Sequence, residues 1–502
     1  MPKKGDERIL RTGELIAFIV YFVVVLIIGF YFYFKDKSCN ETDYFLGGRK
    51  MGPWVTALSA QASDMSGWLL MGFPGSILAF GFGKVWIGIG LGLGTYLNWL
   101  FTAERLRKFS KAAGDSITIP QYLSNRFAAT SHGLRVVCAI VFLVCFTIYV
   151  ASGFKAGGVL FSTVLGIDTN IAMIIFAAII IVYTFTGGFK AVCWTDFFQA
   201  LMMLVAMILV PILVLALKDV SFEGVAAEAP NYFNLLPSGK ADWESASSII
   251  SGLAWGLGYF GMPHIIVRFM SIEKSSMIKK SRKIATTWVV ITLAMAVVIA
   301  VCGRVVFPEL IESGQETVFI RLVRDLFPAF IAGILLSAIL AASMSTADSQ
   351  LLVASSCITS DLYKPLSKKE VSDRKLLWIG RLVVIIIAII AFFIANNPNS
   401  GGIMDLVENA WAGFGAAFGP VIILSLYWRK FTYKGAIAGI IAGGAMVFIW
   451  RGFFAGPSGV YELFPGFIAG LLACIIATKA GKPVSSAAVE IFDRATDPGF
   501  ED

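Results

Sequence analysis

The sequence predicts an all-α membrane protein of about thirteen transmembrane helices, built as a 5+5 inverted repeat in which each half opens with a broken helix. Three observations predict it. Of the 502 residues, 57% are hydrophobic and only 15% are charged, far too apolar for a set of soluble domains. Runs of roughly 20 apolar residues, enough to cross ~30 Å of hydrocarbon, recur from end to end. Two of those runs are interrupted mid-span by polar or glycine-rich residues.

The runs lie at 14–33, 52–80, 85–101, 136–165, 170–187, 197–217, 246–270, 286–306, 327–361, 376–395, 403–428, 435–450 and 464–478. The first sits too far into the chain, and lacks a small-residue cleavage site after it, to be a removable signal, so it remains as a helix. The second carries the first interruption, Ala62, Ser63, Asp64, Met65, Ser66 and Gly67. The third contains Gly88, Gly90, Gly92 and Gly94 inside an apolar span with no strand before it. That is close helix packing in lipid, as at Gly415 and Gly419, and not a nucleotide loop. The seventh carries the second interruption, from Trp255 to Pro263, with Gly256, Gly258 and Gly261 within it.

Five spans separate the start of one interruption from the start of the other, the arrangement of an inverted repeat. The chain then reads as a single membrane domain. Residues 1–51 are the outer tail, first helix and first inner loop, 52–217 the first repeat and 246–428 the second. Residues 429–478 form two peripheral C-terminal helices, and 479–502 a cytoplasmic tail.

The net charge of +8 points to topology rather than to nucleic acid, because the basic residues cluster in short loops. With the N-terminus outside and the C-terminus in the cytoplasm, the inner segments hold 27 Lys and Arg against 10 outside. Lys3, Lys4, Arg8 and Arg11 run against this orientation. Seven scattered cysteines give neither a disulfide framework nor metal-type spacing, and two histidines make imidazole chemistry a poor basis for function. An intramembrane enzyme lacks a nucleophile and base at usable spacing.

Non-helical backbone cannot face lipid, where each unpaired peptide group costs several kcal/mol, so two breaks imply a protein-walled site between them. The alternative is a pair of kinks with no ligand. Ala342, Ser345 and Thr346 stand at i, i+3 and i+4 and share one helical face. With carbonyls freed at Ala62 and Met65 they could complete a five-oxygen cage for a hard cation. Otherwise the two hydroxyls bond back to their own helix. Asp64 is ionisable and mid-span, a position where charge is expensive and function is the default reading. Trp255, Tyr259 and Pro263 repeat every four residues, with Tyr149 as an opposite wall. Aromatic faces suit an ammonium and exposed N–H groups a carboxylate.

These residues resemble the solute:sodium symporter family, in its bacterial sodium/proline branch. The resemblance covers about 14–479. It rests on YFLGGR at 44–49, SAQASDMSGWLL at 59–70, FTIYVASG at 146–153, GGF and WTDFFQ at 187–199, GLGYFGMPHI at 256–265, ILLSAILAASMSTADSQLL at 334–352 and AWAGFGAAFGP at 410–420. It implies a leucine-transporter-type fold, alternating access, and Na⁺-coupled uptake of L-proline across a bacterial inner membrane. Also implied are Na⁺ binding by Ala62, Met65, Ala342, Ser345 and Thr346, with Asp64 needed for coupling, and a proline site at Ser66, Gly67, Tyr149, Trp255, Tyr259 and Pro263. The expected partners are the small-molecule solute, the sodium ion and the lipid bilayer, with no nucleic acid and no organic cofactor. Met262, Gln61 and Lys155 depart from the branch pattern; Met262 bears on the solute, and Lys155 is expected to be structural. The rival expectations are a Na⁺- or H⁺-coupled carrier of another small solute and, from a different class, an ion channel.

Overall fold

The computed structural model describes residues 11–35, 41–186, 188–367 and 371–500. Lys3, Lys4, Arg8 and Cys39 lie outside the described residues. In chain order the long helices are α1 (Thr12–Lys35), α2 (Pro53–Asp64), α3 (Phe73–Phe80), α4 (Val85–Asn98), α5 (Gly133–Leu165), α6 (Thr169–Thr186), α7 (Phe189–Leu217), α8 (Trp243–Gly258), α9 (Pro263–Ser271), α10 (Ile278–Val306), α11 (Ala329–Ser356), α12 (Asp373–Asn396), α13 (Ile403–Tyr427), α14 (Tyr433–Phe453), α15 (Leu463–Ala480) and α16 (Ser486–Thr496).

Ten helices among the described residues are long and apolar enough to cross a membrane, and the bent pair α8 and α9 makes an eleventh. The expected thirteen is therefore two more than meet that test. The surplus has a physical cause. The run at 52–80 is split into α2 and the shorter stretch Trp68–Phe80, and the run at 170–187 yields only the short apolar helix α6.

Both interruptions are real breaks. α2 ends at Asp64, where Met65 leaves the helical region (φ −82°, ψ 81°) and its N–H closes the last turn on Gln61 O at 2.8 Å. Ser63, Asp64 and Ser66 carry short side chains that compete with helical backbone bonds. At the second break α8 tightens into a 3₁₀ turn, Tyr259–Gly261, and Met262 turns extended (φ −80°, ψ 104°) before Pro263 starts α9. Proline supplies no N–H and forces the residue before it out of the helix. The axis bends by 47° there.

Packing around the breaks is reciprocal. α8 lies on α4 while α10 lies on α2 and α3; α13 lies on α5 while α7 lies on α11. Glycine lets the first of these pairs touch backbone to backbone. A Cβ on Gly90 would strike Gly252 O, and one on Gly94 would strike Gly256, whereas Gly92 has open space. Two of the four predicted packing glycines thus serve α8, and Gly88 sits against the Phe73 ring. The other predicted pair also packs closely, Gly415 on Gly258 Cα and Gly419 on the Phe467 ring.

α14 and α15 pack on each other and on α13, outside the reciprocal set, and α1 packs on α11 and α7. Loops gather at two opposite ends of the bundle. Lys84, Pro237, Glu244 and Tyr461 share one cavity, while Ser131, Tyr433 and Ser485 share another at the opposite end of α14.

Candidate functional site

The C-terminal end of α2 leaves carbonyls without helical partners, and side chains from three other segments reach them. Ala62 O accepts from Ser345 Oγ at 2.8 Å and from Thr346 Oγ1 at 3.2 Å. Ser345 Oγ also lies 3.1 Å from Ala342 O on its own helix. The i, i+3, i+4 face of α11 therefore meets the first break, and its hydroxyls do not only bond back within the helix. Four of the five residues singled out for a cation converge, and the fifth, Met65, is the buried hinge residue one turn on.

Two residues past Ala62, Asp64 O accepts three donors: Ser66 N at 3.0 Å, Trp68 Nε1 at 3.2 Å and Tyr149 Oη at 3.1 Å. The Asp64 side chain reaches the other break, where Tyr259 Oη donates to Oδ2 at 2.5 Å. Tyr259 is steadied in turn by Asn98, whose Nδ2 donates to Tyr259 O at 3.1 Å. Trp255 stands one turn before Tyr259. Trp411 Nε1 donates to Trp255 O at 2.8 Å and sets its ring edge-on to Tyr259 at 5.1 Å. Pro263 is buried at the start of α9, and the next residue, His264, meets the Tyr149 ring edge-on at 6.0 Å.

Gly67 lies where α5 and α11 approach: a Cβ there would come within 2.6 Å of Ala156 Cβ and 2.9 Å of Ser343 Oγ. Around it, Asp64 Oδ1, Ser66 Oγ and Ser343 Oγ are buried with no protein partner. Buried polar atoms are nearly always satisfied, and these three are grouped at the first break.

Sequence reasoning missed several members. Trp68, Trp411 and Ser343 complete the walls. Below the break, Arg268 on α9 is buried and paired with Asp196 on α7 at 3.2 Å, with Ser349 Oγ 2.5 Å and Ser59 Oγ 3.2 Å from its nitrogens. Ser59 and Ser63 also donate to Asp196 Oδ2, at 2.7 and 3.2 Å. A charged residue within the apolar run 246–270 was the available signal for Arg268. Lys155 Nζ donates to Gly401 O and lies 3.4 Å from Ser400 Oγ, so it fastens the turn before α13. Met262 and Gln61 are both buried at the breaks.

Two interrupted helices that meet through their broken ends, inside a bundle with reciprocal packing, define the class of multi-spanning secondary transporters. The profile of the sodium:solute symporter family matches residues 44–443, and the chain belongs to that family. The high-affinity proline transporter PutP of Bacillus subtilis is 46% identical over 475 residues, covering 93% of this chain and 98% of that protein. The sodium/proline symporter of Escherichia coli is 44% identical over 492 residues, covering 97% of each. Among solved structures, a Na⁺-coupled sialic acid symporter in a substrate-bound outward-open state superposes with a TM-score of 0.77 at 20% identity, covering 94% of this chain and 99% of that one. MhsT in complex with L-phenylalanine gives 0.51 at 18% identity, covering 85% and 98%. The fold is thus the leucine-transporter type that the resemblance implied.

Proposed function

We propose that this protein carries L-proline into the cell together with Na⁺ by alternating access, in a bacterial plasma membrane, with its N-terminus outside and its C-terminus in the cytoplasm. The observation that carries the reading is the Asp64–Tyr259 contact, which ties the end of α2, two residues past Ala62, to the aromatic wall. Identities of 43–46% over more than nine-tenths of the chain to proline transporters support the choice of solute. The repeats are 52–217 and 246–428, followed by peripheral helices at 429–478 and the inner tail.

Na⁺ is cargo here, and the donor set suits it. The carbonyls of Ala62, Met65 and Ala342 and the hydroxyls of Ser345 and Thr346 are neutral hard oxygens, which small cations prefer. Ser345 and Thr346 donate to Ala62 O; with a cation between them the hydroxyls would rotate and present lone pairs instead. Ala62 then belongs to the ion, and Asp64 supplies the nearby negative charge.

The solute lies between the breaks. Its carboxylate faces the Gly67 N–H and the Ser66 hydroxyl, and its ammonium and ring lie against Tyr149, Trp255, Tyr259 and Pro263. Because Asp64 accepts from Tyr259, ordering the first break around Na⁺ fixes the aromatic wall that receives the solute. A potential of ~100 mV contributes about 2.3 kcal/mol per charge and a tenfold ion gradient about 1.4 kcal/mol. One ion per solute thus sustains an accumulation of several hundredfold.

The test is uptake of labelled proline by proteoliposomes with an imposed Na⁺ gradient, with choline in place of Na⁺, and with a pH gradient alone. Uptake driven only by Na⁺ is expected. Uptake driven by protons, or competition dominated by another amino acid, overturns the ion or the solute respectively.

A further inference from the structure

Trp255, the outer end of the aromatic wall, is covered by a residue that belongs to neither repeat and lies beyond the 44–443 match to the family. The Tyr461 ring stacks on it at 5.4 Å with an interplanar angle of 27°. Tyr461 sits in the connection between α14 and α15, and that connection is tied down from outside its own hairpin. Tyr461 Oη donates to Glu408 O on α13 at 2.7 Å, and its N–H donates to Ser251 Oγ on α8 at 2.9 Å. Ser251 Oγ is also 3.2 Å from Gly459 O, and Trp243 Nε1 donates to Ser458 O at 2.8 Å.

Beyond the stacked pair lies a cavity of about 600 Å³ lined by Trp255, Tyr461, Ser251, Glu408 and Lys84. Behind it, one turn along α8, Tyr259 holds Asp64. The Trp255–Tyr461 pair therefore stands between the open cavity and the enclosed break. Trp255 and Tyr461 are 2% and 5% exposed, so a solute moving from the cavity to the break must part these two rings. The ties that hold Tyr461 are a few single hydrogen bonds plus one stack, an attachment weak enough to open and close.

We propose that Tyr461 is the outer cover of the solute pocket: a positioning residue that holds Trp255 in place when the pocket is shut and swings with the α14–α15 connection to admit the solute. This rests on the reading of Trp255 as a pocket wall. It assigns the peripheral helix pair a part in transport, as the anchor of a gate supplied from outside the repeats.

The experiment uses the full-length protein with its natural cysteines replaced and a single cysteine at Thr95→Cys. Thr95 is buried on α4 one turn from Asn98, which bonds Tyr259 O. In right-side-out vesicles a membrane-impermeant trimethylammonium methanethiosulfonate is added outside, and the rate of labelling is followed with Tyr461 intact, in Tyr461→Phe and in Tyr461→Ala. Loss of the ring is expected to speed labelling and to raise the proline KM by about tenfold each, whereas Tyr461→Phe, which keeps the stack, stays near the parent. Equal labelling rates in the parent and in Tyr461→Ala overturn the cover, even if uptake falls, since a fall in uptake without faster labelling is the mark of a folding defect. Faster labelling in Tyr461→Ala that added proline fails to slow in any background upholds the cover and sinks the solute assignment instead.

Discussion

The hydroxyl of Tyr259 donates to Oδ2 of Asp64 across 2.5 Å, joining the breaks of the two interrupted helices side chain to side chain. Both ends are immobilised. Asp64 O holds Trp68 and Tyr149, and Tyr259 O is held by Asn98. A side-chain hydrogen bond contributes about 0.5–1.5 kcal/mol. Tyr259→Phe is therefore expected to raise the proline KM by roughly two- to tenfold, and to raise the Na⁺ concentration for half-maximal uptake as well. Asp64→Asn, which keeps an acceptor oxygen but loses the charge, should act chiefly on Na⁺. Uptake measured across a grid of both concentrations separates the two; unchanged Na⁺ dependence in Asp64→Asn defeats the coupling role.

The ion face gives a second expectation. Ser345→Ala with Thr346→Ala removes both hydroxyls from Ala62 O and leaves that buried carbonyl without its side-chain donors. Na⁺ affinity should fall by at least tenfold with normal membrane insertion, while Trp255→Ala weakens proline affinity more than Na⁺ affinity. Loss of both affinities in equal measure in either variant points to misfolding.

How much of this was legible beforehand follows from which forces act locally. The breaks could be read because Ser, Asp, Gly and Pro disturb a helix through their own backbone and nearest neighbours. The Ala342, Ser345 and Thr346 face could be read because helical spacing alone makes it. Which face meets which break is set by helix crossing, so the partnership of Tyr259 with Asp64 and of Trp411 with Trp255 left no trace in spacing. Arg268 and Asp196 are 72 residues apart; the cost of a charge in lipid flagged that each needs a partner but not which. The count of spans overshot because apolar composition does not reveal that the run at 52–80 is divided into pieces too short to qualify singly.

The Arg268–Asp196 pair makes a third expectation. Asp196→Asn leaves a buried guanidinium opposite a neutral group, and breaking a buried pair from one side costs about 3–5 kcal/mol. The melting temperature in detergent should drop sharply. Asp196→Asn combined with Arg268→Met should recover part of the loss, because no lone charge then remains. A double variant no more stable than the single one removes the ion pair from the account of stability.

Close packing of α4 on α8 yields a control within one helix. Gly94→Val drives a side chain into the backbone of Gly256, whereas Gly92→Val enters open space. Overpacking costs about 1–3 kcal/mol, and here it displaces the helix that carries Trp255. Gly94→Val should lower both stability and proline affinity, with Gly92→Val close to the parent in each. Equal behaviour of the two variants contradicts the backbone contact.

The C-terminal helix supplies a pH-dependent contact. α16 packs on the short helix Glu104–Ala112, and Asp493 accepts two bonds from Arg429, from Nε at 2.7 Å and from Nη2 at 2.6 Å. The hydrogen bond from Arg429 is the main cause that lowers the Asp493 pKa below 3.8. A carboxylate lowered in the docked state adds stability above its undocked pKa and loses it as pH falls through the docked one. The clasp should therefore be intact across the neutral range and release only in acid, below the ordinary aspartate range. Asp493→Asn mimics that release at neutral pH, where cleavage of the tail by an added protease should speed up by about two- to fivefold, a modest change because the pair is exposed. A cleavage rate in Asp493→Asn equal to that of the parent would show that the tail is held by the Phe492 and Arg126 contacts and not by this ion pair, and a parent rate that rises between pH 8 and pH 6 would show that a group other than Asp493 controls release.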